Sequence, residues 1–139
     1  MDQPRVHLHT STFPVRWGDM DALGHVNNTI YFRYMEQIRV EWLETIGMQI
    51  LAGATESVVI INASCTFLLP ITYPASIEVR LFAGSPGRSS IPTYYEIRRV
   101  GEPTLYAEGA SKVIWIDGAT GKSAPLPERI RHLLGTGRP

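Results

Sequence analysis

The chain contains a single cysteine, Cys65. That excludes an intramolecular disulfide framework and a cysteine-based zinc site, and it favours a reducing compartment. An excess of either charge is missing as well, since 13 basic residues balance 13 acidic ones for a formal net charge of zero. No global field draws the chain to nucleic acid or to a membrane surface, so an anionic ligand has to be held by local groups. No apolar run approaches the length of a membrane span, and the segment from Met1 to His9 lacks the apolar centre of a secretory signal. The expectation is a cytoplasmic, soluble protein with neither a nucleic-acid nor a membrane partner. Internal repeats, low-complexity tracts and linkers are also absent, and 139 residues suffice for one domain with a real core, so residues 1–139 read as a single domain.

What the chain does have is a change of pattern along its length. Val6 to Trp17 is β-branched and aromatic with partial alternation, which predicts a strand interrupted near Pro14. From about Asn28 to Gly47 the apolar residues Tyr31, Met35, Ile38, Trp42 and Ile46 recur at spacings of four, three, four and four, and Phe32, Tyr34 and Leu43 widen the stripe. This is helical spacing, with Asn27 or Asn28 as N-cap and Gly47 as the stop. Ser57 to Leu69, Ala75 to Gly84, Ser90 to Val100 and Thr104 to Asp117 are rich in Val, Ile, Tyr, Phe and Thr, and short turns join them. They predict antiparallel neighbours. Ala107, Gly109 and Ser111 are small at alternate positions, which lets a helix backbone approach a sheet closely. A short helix over Pro127 to Leu134 follows, and Gly135 to Pro139 are expected to fray. The sum is an α+β fold in which a long central helix is wrapped by a curved antiparallel sheet of about five strands.

Between the first strand and the helix runs Trp17-Gly18-Asp19-Met20-Asp21-Ala22-Leu23-Gly24-His25-Val26-Asn27-Asn28. It sets acidic groups just before a helix start, and a carboxylate beside unpaired helix N–H groups is a base or nucleophile next to an oxyanion site. A carbonyl directed at the amides of Asn28 and Thr29 would be polarised as an anion is held there. Asp21 could then attack it or activate water; the competing reading is that Asp19 and Asp21 are solvated loop acids helping to cap the helix. His25 suits either general acid–base work or a positioning role in the turn. Val26, Tyr31 and the alternating Val59, Ile61, Ala63, Cys65 and Phe67 offer apolar surface to a ligand, or form a plain core strand; Trp17 is a further lining candidate. Cys65 has no base beside it in sequence and reads as a small buried hydrophobe. Trp42 and Trp115 read as packing residues. His7 and His9 would share a strand face, but no ligand pattern accompanies them and no metal site is expected.

This run, followed by Tyr31 and by Met35-Glu36-Gln37-Ile38-Arg39-Val40-Glu41-Trp42-Leu43, resembles the hotdog-fold acyl-CoA thioesterases of the 4-hydroxybenzoyl-CoA thioesterase type over nearly the whole chain. The resemblance implies a hotdog fold, a homodimer or dimer-based homotetramer with interfacial active sites, and hydrolysis of an acyl-CoA to free acid and CoA thiol without metal or cofactor. It assigns the catalytic carboxylate to Asp21 and the oxyanion amide to Asn28, with His25 beside them. It also implies a basic residue for the nucleotide phosphates in the turn Pro86-Gly87-Arg88-Ser89-Ser90, where Arg88 is either that residue or a solvated turn arginine. Trp17, Val26, Thr29, Tyr31 and Arg88 are thus the expected substrate-binding residues. The element His25-Val26-Asn27-Asn28 with Tyr31 is also similar to plant-type acyl-carrier-protein thioesterases, except that Leu23 stands where they carry Asn. Two further readings compete with thioester hydrolysis. One is a hotdog hydratase or dehydratase, for which the chain lacks a second acid–histidine signature, and the other is a non-catalytic acyl-thioester-binding protein.

Overall fold

The computed structural model describes residues 4–135; the tail expected to fray lies outside them from residue 136 onward. The elements follow the expected order: β1 (Val6–Pro14), α1 (Asn28–Thr45), β2 (Glu56–Phe67), β3 (Ser76–Ala83), β4 (Ser90–Arg99), β5 (Ala107–Asp117) and α2 (Glu128–Leu133). The five strands form one sheet in the order β1-β3-β4-β5-β2, every neighbour antiparallel. Alternation gives the middle strands a buried face: Ile77, Val79 and Leu81 on β3, Ile91, Tyr95 and Ile97 on β4, and Ala107, Val113 and Trp115 on β5.

β1 ends at Pro14, which has no N–H to continue a ladder, so the predicted strand to Trp17 stops short and Trp17–Asp19 form a 3-10 turn. A bulge between His7 and His9 breaks the alternation. It overturns the shared face: the His7 ring packs against Phe82, whereas His9 Nε2 meets Glu41 on α1 at 3.2 Å.

Tyr31, Tyr34, Met35, Ile38, Trp42 and Leu43 form the buried stripe of α1, and Gly47 ends the helix region at φ +86°, where only glycine sits without strain. The small residues of β5 do what their size suggests. A Cβ added at Gly109 would stand 2.8 Å from Met35 Sδ and 3.1 Å from the Ser64 carbonyl oxygen, so the helix is seated on the sheet where a side chain is missing. Beneath it the hydroxyls of Thr93, Tyr95 and Ser111 bond one another, and Arg39 Nη1 donates to Tyr95 Oη at 3.1 Å. Buried polar groups are thereby satisfied inside the core. Trp42 and Trp115 are core residues as expected, and Ile130 of α2 joins the same cluster.

β2 departs from expectation. It lies at the sheet edge, so its apolar residues are not covered within the chain: Val59 is 41% and Ile61 57% exposed. Cys65 is half-buried rather than fully enclosed, and burial, with Glu108 nearby, raises its thiol pKa to about 11. A neutral thiol at physiological pH is a packing group, not a nucleophile.

Candidate active site

The segment from Asp19 to Asn28 is a small closed loop. Met20 and Val26 pair antiparallel, and the Asp21 N–H donates to the His25 carbonyl at 2.9 Å. The Gly24 N–H returns to the Asp21 carbonyl at 3.0 Å, and Gly24 takes φ +80°, a turn conformation that explains glycine there. The loop is fastened at its base, where the Val26 N–H donates to Ile71 and the Asn27 N–H to the Asp19 carbonyl. Asp21 Oδ1 accepts from the Leu23 N–H at 2.9 Å, and no partner is found for its second oxygen among the described residues.

At the helix start the structure chooses between the two asparagines. Asn27 is the N-cap, its Oδ1 accepting from the Thr29 N–H at 2.9 Å and from the Thr29 hydroxyl. That occupies one of the amides expected to polarise a carbonyl, and Thr29 lines a different hollow with Phe32, Arg33 and Arg39. The Asn28 N–H has no acceptor among the described residues. Asp21, Asn28, His25, Val26 and Tyr31 share one groove of about 290 Å³, closed on its far side by Phe67, Leu68, Leu69 and Pro70 and flanked by Leu23. Tyr31 lends its ring rather than its hydroxyl. It packs edge-on to Phe67 at 4.9 Å between centroids, and burial raises its pKa. Asp21, His25 and Asn28 bring polar side chains to the groove, and Leu23, Val26, Phe67, Leu68, Leu69 and Pro70 bring apolar ones.

Two expected substrate residues lie elsewhere. Trp17 is 74% exposed and outside the groove, because the 3-10 turn carries it away from the helix start. Arg88 sits in the β3–β4 turn, next to the Ala83 end of β3, while the Asp21 loop is fastened near the opposite end through the Val26 N–H to the Ile71 carbonyl, with Val15 just before it bonded to Ala75. Eight residues of β3 separate the two ends by about 25 Å. Within one chain Arg88 and Asp21 are not neighbours. The turn itself is held by Arg131, whose Nη2 donates to the Gly87 and Arg88 carbonyls at 2.9 and 3.1 Å. A larger cleft of about 680 Å³ opens on the other flank of α1 and takes in Asp19 and Tyr34, not Asp21. It lacks the free helix amide, so the smaller groove is the better candidate site. Sequence reasoning missed Leu68 and Leu69, read as a strand end, and Pro70, read as part of the connection after it; it also read Tyr34, which lies beside the groove, as part of the helix stripe alone. The Tyr34 hydroxyl donates to Asp19 Oδ2 at 2.8 Å, and burial together with that bond raises its pKa.

A family model for the thioesterase-like superfamily matches residues 15–134. The chain belongs to this superfamily. The PA2801 protein of Pseudomonas aeruginosa superposes with a TM-score of 0.85 at 43% identity, covering 91% of this chain and 97% of that one. The chloroplast acyl-acyl carrier protein thioesterase ATL3 of Arabidopsis thaliana is 30% identical over 130 residues, spanning 89% of this chain and 66% of its own length. BH1999, a gentisyl-coenzyme A thioesterase, shares the fold with a TM-score of 0.77 at 22% identity, over 88% of this chain and 99% of its own. The antiparallel sheet with its helix is accordingly the hotdog fold of the thioesterase-like superfamily, and this member is a thioester hydrolase acting on an acyl thioester.

Proposed function

We propose that this thioesterase-superfamily member hydrolyses acyl-CoA thioesters with Asp21 as the catalytic carboxylate and the Asn28 N–H as the oxyanion donor, in the manner of the 4-hydroxybenzoyl-CoA type. One observation carries the reading: residues with an unpartnered carboxylate oxygen, Asp21, and an unpartnered helix N-terminal amide, Asn28, line the same groove. A thioester carbonyl hydrogen-bonded to Asn28 gains electrophilicity from a fixed donor at the positive end of α1. Two routes start from there. Asp21 can attack the carbonyl to expel the CoA thiolate and form an anhydride that water cleaves, or it can take a proton from water as that water attacks. In either route the proton released from water ends on the departing thiolate or the product acid. His25, exposed at the groove edge, suits delivery to the thiolate. Val26, Tyr31 and the 67–70 segment would hold the acyl group.

A homodimer completes the arrangement in this reading. The edge of β2 is unpaired within the chain, apolar, and free of Lys and Pro, the usual guards of a strand edge. Antiparallel pairing of two β2 edges about a two-fold axis would bring the partner's turn at residues 86–90 toward this chain's Asp21 loop, which reconciles Arg88 with a phosphate role across the interface. Each α1 would then be the central helix of a curved sheet, and a homotetramer of such dimers in the cytoplasm is the natural extension. The likeness to ATL3 supports a second reading of the carrier, acyl carrier protein in place of CoA; both present a pantetheine thioester. Release of free thiol from acetyl-, hexanoyl-, decanoyl- and benzoyl-CoA, and from a decanoyl carrier protein, tests both. Hydrolysis confined to the carrier protein would select the second reading, and a spectral change on an enoyl-CoA without thiol release would point to a hydratase.

A further inference from the structure

The catalytic loop is joined to the body of α1 by a side chain as well as by backbone. Its stem is a set of main-chain bonds: the Met20–Val26 pair, Asp21 to His25, Val26 to Ile71, and Asn27 to the Asp19 carbonyl. None of these fixes the loop against the helix beyond its first residue. Asp19 does. Its Oδ2 accepts the Arg16 N–H at 2.9 Å and the Tyr34 hydroxyl at 2.8 Å, clamping the segment before Asp21 to a point on α1 almost two turns below Asn28.

Tyr34 is itself a fixed reference. It is 7% exposed, its ring stacks on Phe13 of β1 at 6.2 Å and 15°, and it meets Tyr31 edge-on at 6.2 Å. Tyr31 in turn packs on Phe67 at the floor of the groove. A row of four rings, Phe13, Tyr34, Tyr31 and Phe67, therefore runs from β1 to β2 beneath the helix start, and the Tyr34 hydroxyl fastens the Asp19 segment to it. A bond from a neutral phenol to a carboxylate is charge-assisted and well suited to hold a loop whose other links are local.

We propose that Tyr34 is a positioning residue for the hydrolysis, acting through Asp19 to set the Asp21 carboxylate against the Asn28 amide. It touches no substrate atom. This rests on the catalytic role of Asp21 argued above. The division of labour between the two acids of the motif follows from it: Asp19 has its Oδ2 occupied by the clamp and faces the other flank of α1, leaving Asp21 alone in the groove. Misplacing a reacting group by a fraction of its reach is costly in rate while leaving the groove, and hence ground-state binding, intact.

The test compares Tyr34→Phe, Asp19→Ala, Asp19→Asn and Asp21→Asn with the wild type, assaying hydrolysis of decanoyl-CoA and benzoyl-CoA alongside thermal melts. Y34F keeps the ring row and should fold; its kcat is expected to fall about 10-fold or more with KM within about 2-fold. D19A should show the same split, and the double variant Y34F/D19A should be no worse than D19A alone, since both remove one link. D19N keeps an oxygen for both donors and should retain at least about fivefold more kcat than D19A. Wild-type kcat in Y34F with D21N inactive overturns the clamp and leaves the catalytic assignment standing. Additive losses in the double variant, or D19N no better than D19A, also overturn it. Full activity in D21N instead removes the catalytic reading on which the clamp depends.

Discussion

Asn27 and Asn28 are adjacent and chemically identical, yet the helix start gives them opposite tasks. The Asn27 side chain caps by occupying the Thr29 amide, and by doing so leaves Asn28 as the amide with an open direction. A single donor of this kind is typically worth about 2.7 to 4 kcal/mol of transition-state stabilisation, so one open amide is enough for a useful oxyanion site. Asn27→Ala should cost about 1 kcal/mol of stability by removing the cap, seen as a lower midpoint in urea unfolding; an unchanged midpoint would mean that the cap bond contributes nothing. At this scale the sequence was legible wherever geometry is local. Asp21, Asn28, His25 and Val26 come together because a tight loop and a helix cap are written in consecutive residues. Arg88 and Tyr34 were not legible. Which end of the sheet a turn occupies, and which buried hydroxyl meets which carboxylate, depend on pairings between distant segments.

Among the elements, α1 and the three inner strands announced themselves through spacing, because each has one face in the core and one outside it. β2 misled for the opposite reason. Its apolar residues at alternate positions, Val59, Ile61, Ala63, Cys65 and Phe67, look like those of a core strand, and within the chain it is an exposed edge. No local signal separates a strand buried by its own chain from one that another chain would bury. Glu56, at the start of β2, links three elements: Oε2 accepts from Trp115 Nε1 on β5 at 3.0 Å and Oε1 pairs with Arg129 on α2 at 2.6 Å. Burial pushes its pKa upward, but the bonds from Arg129 and Trp115 outweigh it and hold the carboxyl below the ordinary value of 4.5. A carboxyl depressed in the folded state stabilises that state above its unfolded pKa, and the contribution is lost as pH falls through the folded pKa. Urea unfolding between about pH 6 and about pH 3 should therefore show a steeper loss of stability in the wild type than in Glu56→Gln. Some acid sensitivity will persist in the variant, because Glu41 is also held low, by bonds involving Ser11, Gln37 and His9 that exceed its burial. Parallel curves would show that the Glu56 links carry no net stability.

For the whole molecule, a fold of the thioesterase-like superfamily carries a site that, in the reading proposed above, one chain supplies only in part. Asp21 and the Asn28 amide lie at one end of the sheet, the basic turn at the other, and the apolar β2 edge between the chain and solvent. If two β2 edges pair, Ile61→Lys places a charge in the joint and should shift the protein toward monomer in sedimentation velocity, with a rise in KM for acyl-CoA as the partner's Arg88 is withdrawn. A wild-type monomer would contradict the interfacial site. The most direct test of the catalytic assignment is thiol release from the acyl-CoA panel by wild type and Asp21→Asn at matched stability. The predicted result is turnover of at least one thioester by the wild type and a loss of about 100-fold or more in kcat in the variant; turnover in Asp21→Asn equal to the wild type would contradict it.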